Sequence, residues 1–99
     1  MTNNIVFITV NEKRIVKPIN ESAKIVVYDS DKHEIVGELS NPYNKGFWIL
    51  EELFDEHDPT LLISGGMDEE TKLMIEENGV KVIIAKQREL EEVINEYFG

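Results

Sequence analysis

The sequence predicts an α/β fold, a mixed sheet of about five strands with about three helices packed on it. Three observations carry that expectation. Residues 61–85, LLISGGMDEETKLMIEENGVKVIIA, read as strand, double-glycine turn, helix, glycine stop and strand, which is one β-α-β unit. The first half is different: short apolar runs separated by turn residues, with the character of hairpins. The length, 99 residues with 41% apolar, suffices for one core and not for two, so residues 1–99 form a single domain.

Taken in order, NIVFITV at 4–10 is a compact apolar strand. RIVKP at 14–18 reads as a short second strand that ends where Pro18 restricts the residue before it, and INES at 19–22 as a surface loop. KIVVYD at 24–29 is a strand bearing Ile25, Val26, Val27 and Tyr28. DSDK at 29–32 is a turn whose side chains bond their own backbone. HEIVGEL at 33–39 returns as the hairpin partner at a sheet edge. Its alternation is imperfect, with Ile35, Gly37 and Leu39 on one side and Val36 on the other.

NPYNKG at 41–46 is a loop. FWILEELFDEH at 47–57 sets Leu50, Leu53, Phe54 and His57 at helical spacing, and Pro59 shows that this helix has stopped. LLIS at 61–64 is apolar enough to be covered on both faces, as in a parallel sheet. Asp68 is the N-cap of the next helix, with Glu69 and Glu70 in its first turn where carboxylates suit the dipole. Leu73 and Met74 are expected to face inward, and Gly79 to take the left-handed position at the helix end. VKVIIA at 80–85 is the following strand. The last helix is expected from near Gln87, with Leu90, Val93, Ile94 and Tyr97 as its apolar stripe and Glu89, Glu92 and Glu96 toward water.

The formal net charge of -10 is uneven. Residues 1–49 hold six acidic and six basic side chains, and residues 50–99 hold fourteen acidic and four basic. Such a surface repels a phosphate backbone and anionic lipid, so neither nucleic acid nor membrane is an expected partner. Cysteine is absent, which excludes disulfides, thiolate metal sites and cysteine nucleophiles. The N-terminus lacks the pattern of a secretory signal and no apolar run reaches membrane-spanning length, so a cytoplasmic protein is expected.

Ser64, Gly65 and Gly66 are the foremost candidate site. They sit at the carboxyl end of an expected central strand just before a helix, where open α/β sheets bind ligands. Glycines there let a ligand approach and leave amide N–H groups free; alternatively they only make a tight turn. The spacing matches neither a dinucleotide fingerprint nor a phosphate loop. His33 and His57 are the only histidines and stand far apart, so no metal site is expected from them. Asp55, Glu56 and Asp58 cluster near one helix end, and Asp68, Glu69 and Glu70 open another. Neither group is the apolar-pocket pair that acid–base catalysis requires. Ser22, Ser30, Ser40 and Ser64 have no histidine partner for a triad. Phe47 and Trp48 are adjacent at the start of a helix, so they do not both face the same side; one is expected to pack inward, and the other, with Tyr43, either borders a cleft or subunit contact or serves only core and boundary packing.

Order and spacing along IVFITV, KIVVYD, NPY at 41–43, ISGG at 63–66 and NGVKVI at 78–83 resemble the dinitrogenase iron–molybdenum cofactor biosynthesis family, which includes the NifX and NifY proteins and the C-terminal domain of NifB. The resemblance spans residues 4–97. It implies a ribonuclease H-like fold in two or three layers, without ribonuclease chemistry, and a role in holding or carrying an iron–sulfur or iron–molybdenum cluster precursor. It places the ligand near Ser64, Gly65 and Gly66, with Asn41, Gly46 and the rest of the 43–48 loop opposite. Cofactor-assembly proteins are the implied partners. The chain departs from the family pattern in two places. YNKGFW follows its NP without the family's histidine, and NES stands before KIVVYD where an FGR-like tripeptide is usual.

A non-catalytic carrier is therefore the leading expectation. The alternative is a protein-interaction scaffold that keeps the fold and binds no cluster. A hydrolase with carboxylate-bound metals ranks last, because the interior of IVFITV presents no carboxylate. Monomer and dimer both remain open, the HEIVGEL edge offering a strand for pairing.

Overall fold

In the computed structural model, which describes residues 4–99, five strands form one sheet in the order β3-β2-β1-β4-β5. The strands are β1 (Ile5–Val10), β2 (Lys24–Asp29), β3 (Glu34–Ser40), β4 (Leu61–Ser64) and β5 (Lys81–Ile84). β2 runs antiparallel to both β1 and β3, whereas β1, β4 and β5 are mutually parallel. Three α-helices follow: α1 (Phe47–His57), α2 (Glu69–Glu77) and α3 (Leu90–Phe98). Mixed sheet, β-α-β unit and helix count agree with the expectation from sequence.

Period-two alternation along β1 divides the core into two layers. Val6, Ile8 and Val10 join Val26, Ile63, Leu90 and Val93 beneath α3. Phe7 joins Ile25, Val27, Leu62, Leu50, Phe54 and Ile75 beneath α1 and α2. The domain therefore has three layers, with α3 alone on one face of the sheet. The adjacent residues Leu62 and Ile63 serve opposite layers, which is why this part of β4 is apolar on both faces.

The uneven alternation of β3 has a structural cause. Val27 pairs with Gly37 and Tyr28 with Ile35, so Val36 is an extra residue in a β-bulge and is 49% exposed. The bulge reverses the facing of the strand, so that Ile35 packs toward α3 while Leu39 packs toward α1 and α2.

Several local expectations change. RIVKP forms only isolated bridges, Val16 with Val10 and Ile15 with Glu89, because this short segment is shared between the end of β1 and the residue before α3 rather than aligned along one strand. INES is a 3-10 turn that buries Ile19, and the 41–46 loop contains a second one at Tyr43–Lys45. α2 buries Thr71 and Ile75, four residues apart, and leaves Leu73 52% exposed. At 100° per residue, Leu73 lies nearly opposite the face that Thr71 and Ile75 define. α3 begins at Leu90, because Arg88 accepts from Val16 N–H and Glu89 bridges Ile15. At its far end Phe98, not Tyr97, packs inward and lies against Tyr28, with ring centroids 5.2 Å apart. The left-handed Gly79 is present at φ 81°, and no helix among the described residues is long and apolar enough to cross a membrane.

Candidate functional site

The connection leaving β1 turns toward β2, while the one leaving β4 runs through α2 to β5. The carboxyl ends of β1 and β4 thus flank a topological switch point, the usual place for a ligand crevice. Here the chain's own residues 16–19 occupy it. Lys17 carbonyl accepts from the Thr9 hydroxyl at 2.8 Å and from Gly65 N–H at 3.0 Å. Ile19 N–H donates to the Gly66 carbonyl at 2.9 Å. Thr9 and Ser64 are fully buried with their hydroxyl oxygens 3.0 Å apart, and Gly66 N–H donates to Ser64 Oγ at 3.3 Å.

The two glycine amides are therefore engaged within the chain. Gly65 is required sterically, since a Cβ there would lie 2.7 Å from the Lys17 carbonyl carbon. Gly66 is different: a Cβ would meet only the Pro18 ring, at 3.6 Å. Thr9 and Lys17 carry no motif that marks them in the sequence. The one signal was a polar residue, Thr9, inside an otherwise apolar strand.

On the α1–α2 side of this plug the structure opens. A cleft of about 280 Å³ is lined by Pro18, Ile19, Asn20, Tyr43, Gly66, Met67 and Asp68. A second of about 440 Å³ is lined by Tyr43, Asn44, Gly46, Phe47, Asp68, Glu70, Thr71 and Met74. They share Tyr43 and Asp68 and so form one groove. The fold brings Gly66 and Gly46 to this groove. Ser64 and Gly65 lie behind it, in the plug.

Asn41 holds the wall of the groove. Its amide donates to the Ile19 and Ser22 carbonyls, both at 2.8 Å, and its oxygen accepts from Tyr43 N–H. Gly46 precedes α1 at φ 136°, a conformation that L side chains rarely adopt. Tyr43 Oη lies 2.9 Å from Thr71 Oγ1, which ties the loop to the first turn of α2. Asp68 caps that helix by accepting from Thr71 N–H at 2.8 Å. That bond, followed by the Thr71 hydroxyl, holds the Asp68 carboxyl below the usual range.

No group of three or more His, Cys, Asp or Glu side chains able to hold a metal occurs among the described residues. The two histidines are kept apart. His57 contacts the Phe7 ring at 5.7 Å, whereas His33 lines a separate cleft of about 320 Å³ with Tyr28, Glu34, Ile35, Ile94, Asn95, Phe98 and Gly99. That cleft lies on the α3 side, near the start rather than the carboxyl end of β1, because Tyr28 pairs with Val6.

Fold and groove define a three-layer α/β domain whose switch point is plugged and whose open groove is displaced toward α1 and α2. The sequence profile of the family described as dinitrogenase iron–molybdenum cofactor matches residues 3–99. The chain belongs to that family. Among solved structures, the apo form of the orange protein from Desulfovibrio gigas is similar at a TM-score of 0.77 and 14% identity, over 97% of this chain and 88% of that one. A NifB-like protein from Thermotoga, of the DUF35 family, is similar at a TM-score of 0.73 and 17% identity, over 95% and 86%. At these identities the two structures bear on the fold alone. No curated protein matches the sequence.

Proposed function

We propose that this chain is a non-catalytic accessory protein that carries an iron–sulfur or iron–molybdenum cluster precursor in the groove beside Gly66. Membership of the iron–molybdenum cofactor family is the observation that supports the reading. The groove supplies the thioether of Met67, the carboxylate of Asp68, the hydroxyl of Tyr43 and the amide of Asn20. With no cysteine in the chain, the cargo would have to bring its own sulfur ligands and be held by shape and hydrogen bonds. The protein's part is to bind and release, and no group in the groove is asked to move a proton or form a bond.

Anaerobic incubation with a cofactor precursor, then gel filtration, visible absorption and metal analysis, tests this. Retention in stoichiometric amount is expected. Loss of all metal on the column from a folded protein, as judged by circular dichroism, would refute the carrier role.

A second reading, a scaffold that keeps the fold and binds proteins only, is favoured by the lack of cysteine and of any metal-holding side-chain group among the described residues. Metal retention would count against it.

A further inference from the structure

The negative charge of the molecule is concentrated in one layer. Residues 47–78, from α1 through α2, contain ten carboxylates and a single lysine, Lys72, for a net of -9 out of the chain's -10. Nine of the ten are exposed, Glu51 being partly covered. Ion pairing elsewhere is ordinary: Arg14 and Lys24 neutralise Glu38, Lys24 also meets Glu12, and Arg88 meets Glu96. Apart from Asp58, none of the α1–α2 carboxylates has an ion-pair partner among the described residues.

Acidity by itself keeps a surface soluble. This face also exposes large apolar side chains, Trp48 at 62% and Leu73 at 52%. Their chain neighbours Phe47 and Met74 line the 440 Å³ cleft, whose rim carries Asp68 and Glu70. The result is a mixed cleft between two helices, with Phe47 and Met74 as its apolar walls, Asp68 and Glu70 as its charged ones and the exposed Trp48 indole beside Gly46, within a field of uncompensated negative charge.

We propose that this cleft docks a basic amphipathic segment of a partner protein. An apolar side chain of the partner enters between Phe47 and Met74, and its lysine or arginine residues lie over Asp68 and Glu70. Charge selects the occupant. A second copy of the chain would bring the same negative layer and be repelled, and so would a nucleic acid. Exposed tryptophan is the kind of side chain on which such contacts centre. The docking cleft and the proposed cargo cleft share Tyr43 and Asp68, so a docked partner stands beside the cargo. Docking itself goes beyond the carrier reading and does not depend on it.

The test uses two probes against the intact protein without cargo: a helical peptide of leucine and lysine, and an oligolysine of equal charge. Trp48 is the only tryptophan and its indole lies beside Gly46 of the cleft wall, so its fluorescence reports on the surroundings of the cleft. The leucine–lysine peptide is expected to bind saturably, to shift Trp48 emission to shorter wavelength, and to move amide resonances of residues 44–48 and 68–77. The double variant Trp48→Ala, Leu73→Ala keeps every charge, and both side chains are exposed, so it should fold. It is expected to bind a labelled leucine–lysine peptide roughly tenfold more weakly, with oligolysine binding unchanged. Equal affinity for the two probes, unchanged affinity in the double variant, or shifts centred on the carboxylates of α3 would each overturn the proposal.

Discussion

Gly65 and Gly66 are neighbours with opposite tasks. Gly65 lies against the Lys17 backbone so closely that a methyl group would intrude, and its N–H is bonded to that same residue. Gly66 has ordinary clearance and lines the groove. A double glycine at a strand end thus records two requirements, one for chain packing and one for access. The segment Lys17–Ile19 separates them, sealing the switch point on one side and forming the wall of the groove on the other.

The contrast can be broken by substitution. Gly65→Ala should have the largest effect, a loss of about 1–3 kcal/mol from forcing Cβ into the Lys17 backbone, measured by urea unfolding. Stability close to wild type would show that the plug yields. Asp68→Asn should cost less, because asparagine still caps α2 but lacks the charge. Its deficit should depend on pH. The Asp68 pKa is depressed in the folded state, so its stabilisation is present above the unfolded carboxylate value and lost as pH falls through the folded one. Wild type and variant should therefore converge in acid, and parallel curves would contradict the assignment. Tyr43→Phe removes the bond to Thr71 and should cost about 0.5–1.5 kcal/mol, again by urea unfolding. Gly66→Ala should change stability least, within about 0.5 kcal/mol. An effect as large as that of Gly65→Ala would erase the distinction between the two glycines.

Much of the fold was legible because its signals are local. The β-α-β unit announced itself through Asp68, Gly79 and the unbroken apolar run of LLIS, each with a mechanism that acts within a few residues. The failures have tertiary causes. The facing of Leu73 depended on the rotational phase that Thr71 and Ile75 set against the sheet. The delayed start of α3 depended on Arg88 and Glu89 meeting residues 14–16, more than seventy positions earlier in the chain. The alternation of β3 hinted at a bulge that only its register with β2 reveals.

The candidate site was half legible for the same reason. Gly66 and Gly46 reach the groove from two distant segments. Nothing in the sequence marked Lys17 as the residue whose carbonyl would fill the crevice, since any residue carries a carbonyl. Asn41 lies close to the groove but spends its amide on the chain, a use that its residue type alone does not distinguish from ligand binding.

The most direct test is an amide-resolved NMR titration of the labelled protein with a cofactor precursor under anaerobic conditions. The separate cleft on the α3 side, lined by Tyr28, His33 and Phe98, serves as an internal control on the same molecule. The account predicts that the resonances of Asn20, Tyr43, Gly66, Met67 and Asp68 move together and saturate while those of Tyr28, His33 and Phe98 stay in place. Shifts centred on the control cleft, or no saturable shift anywhere, would contradict it.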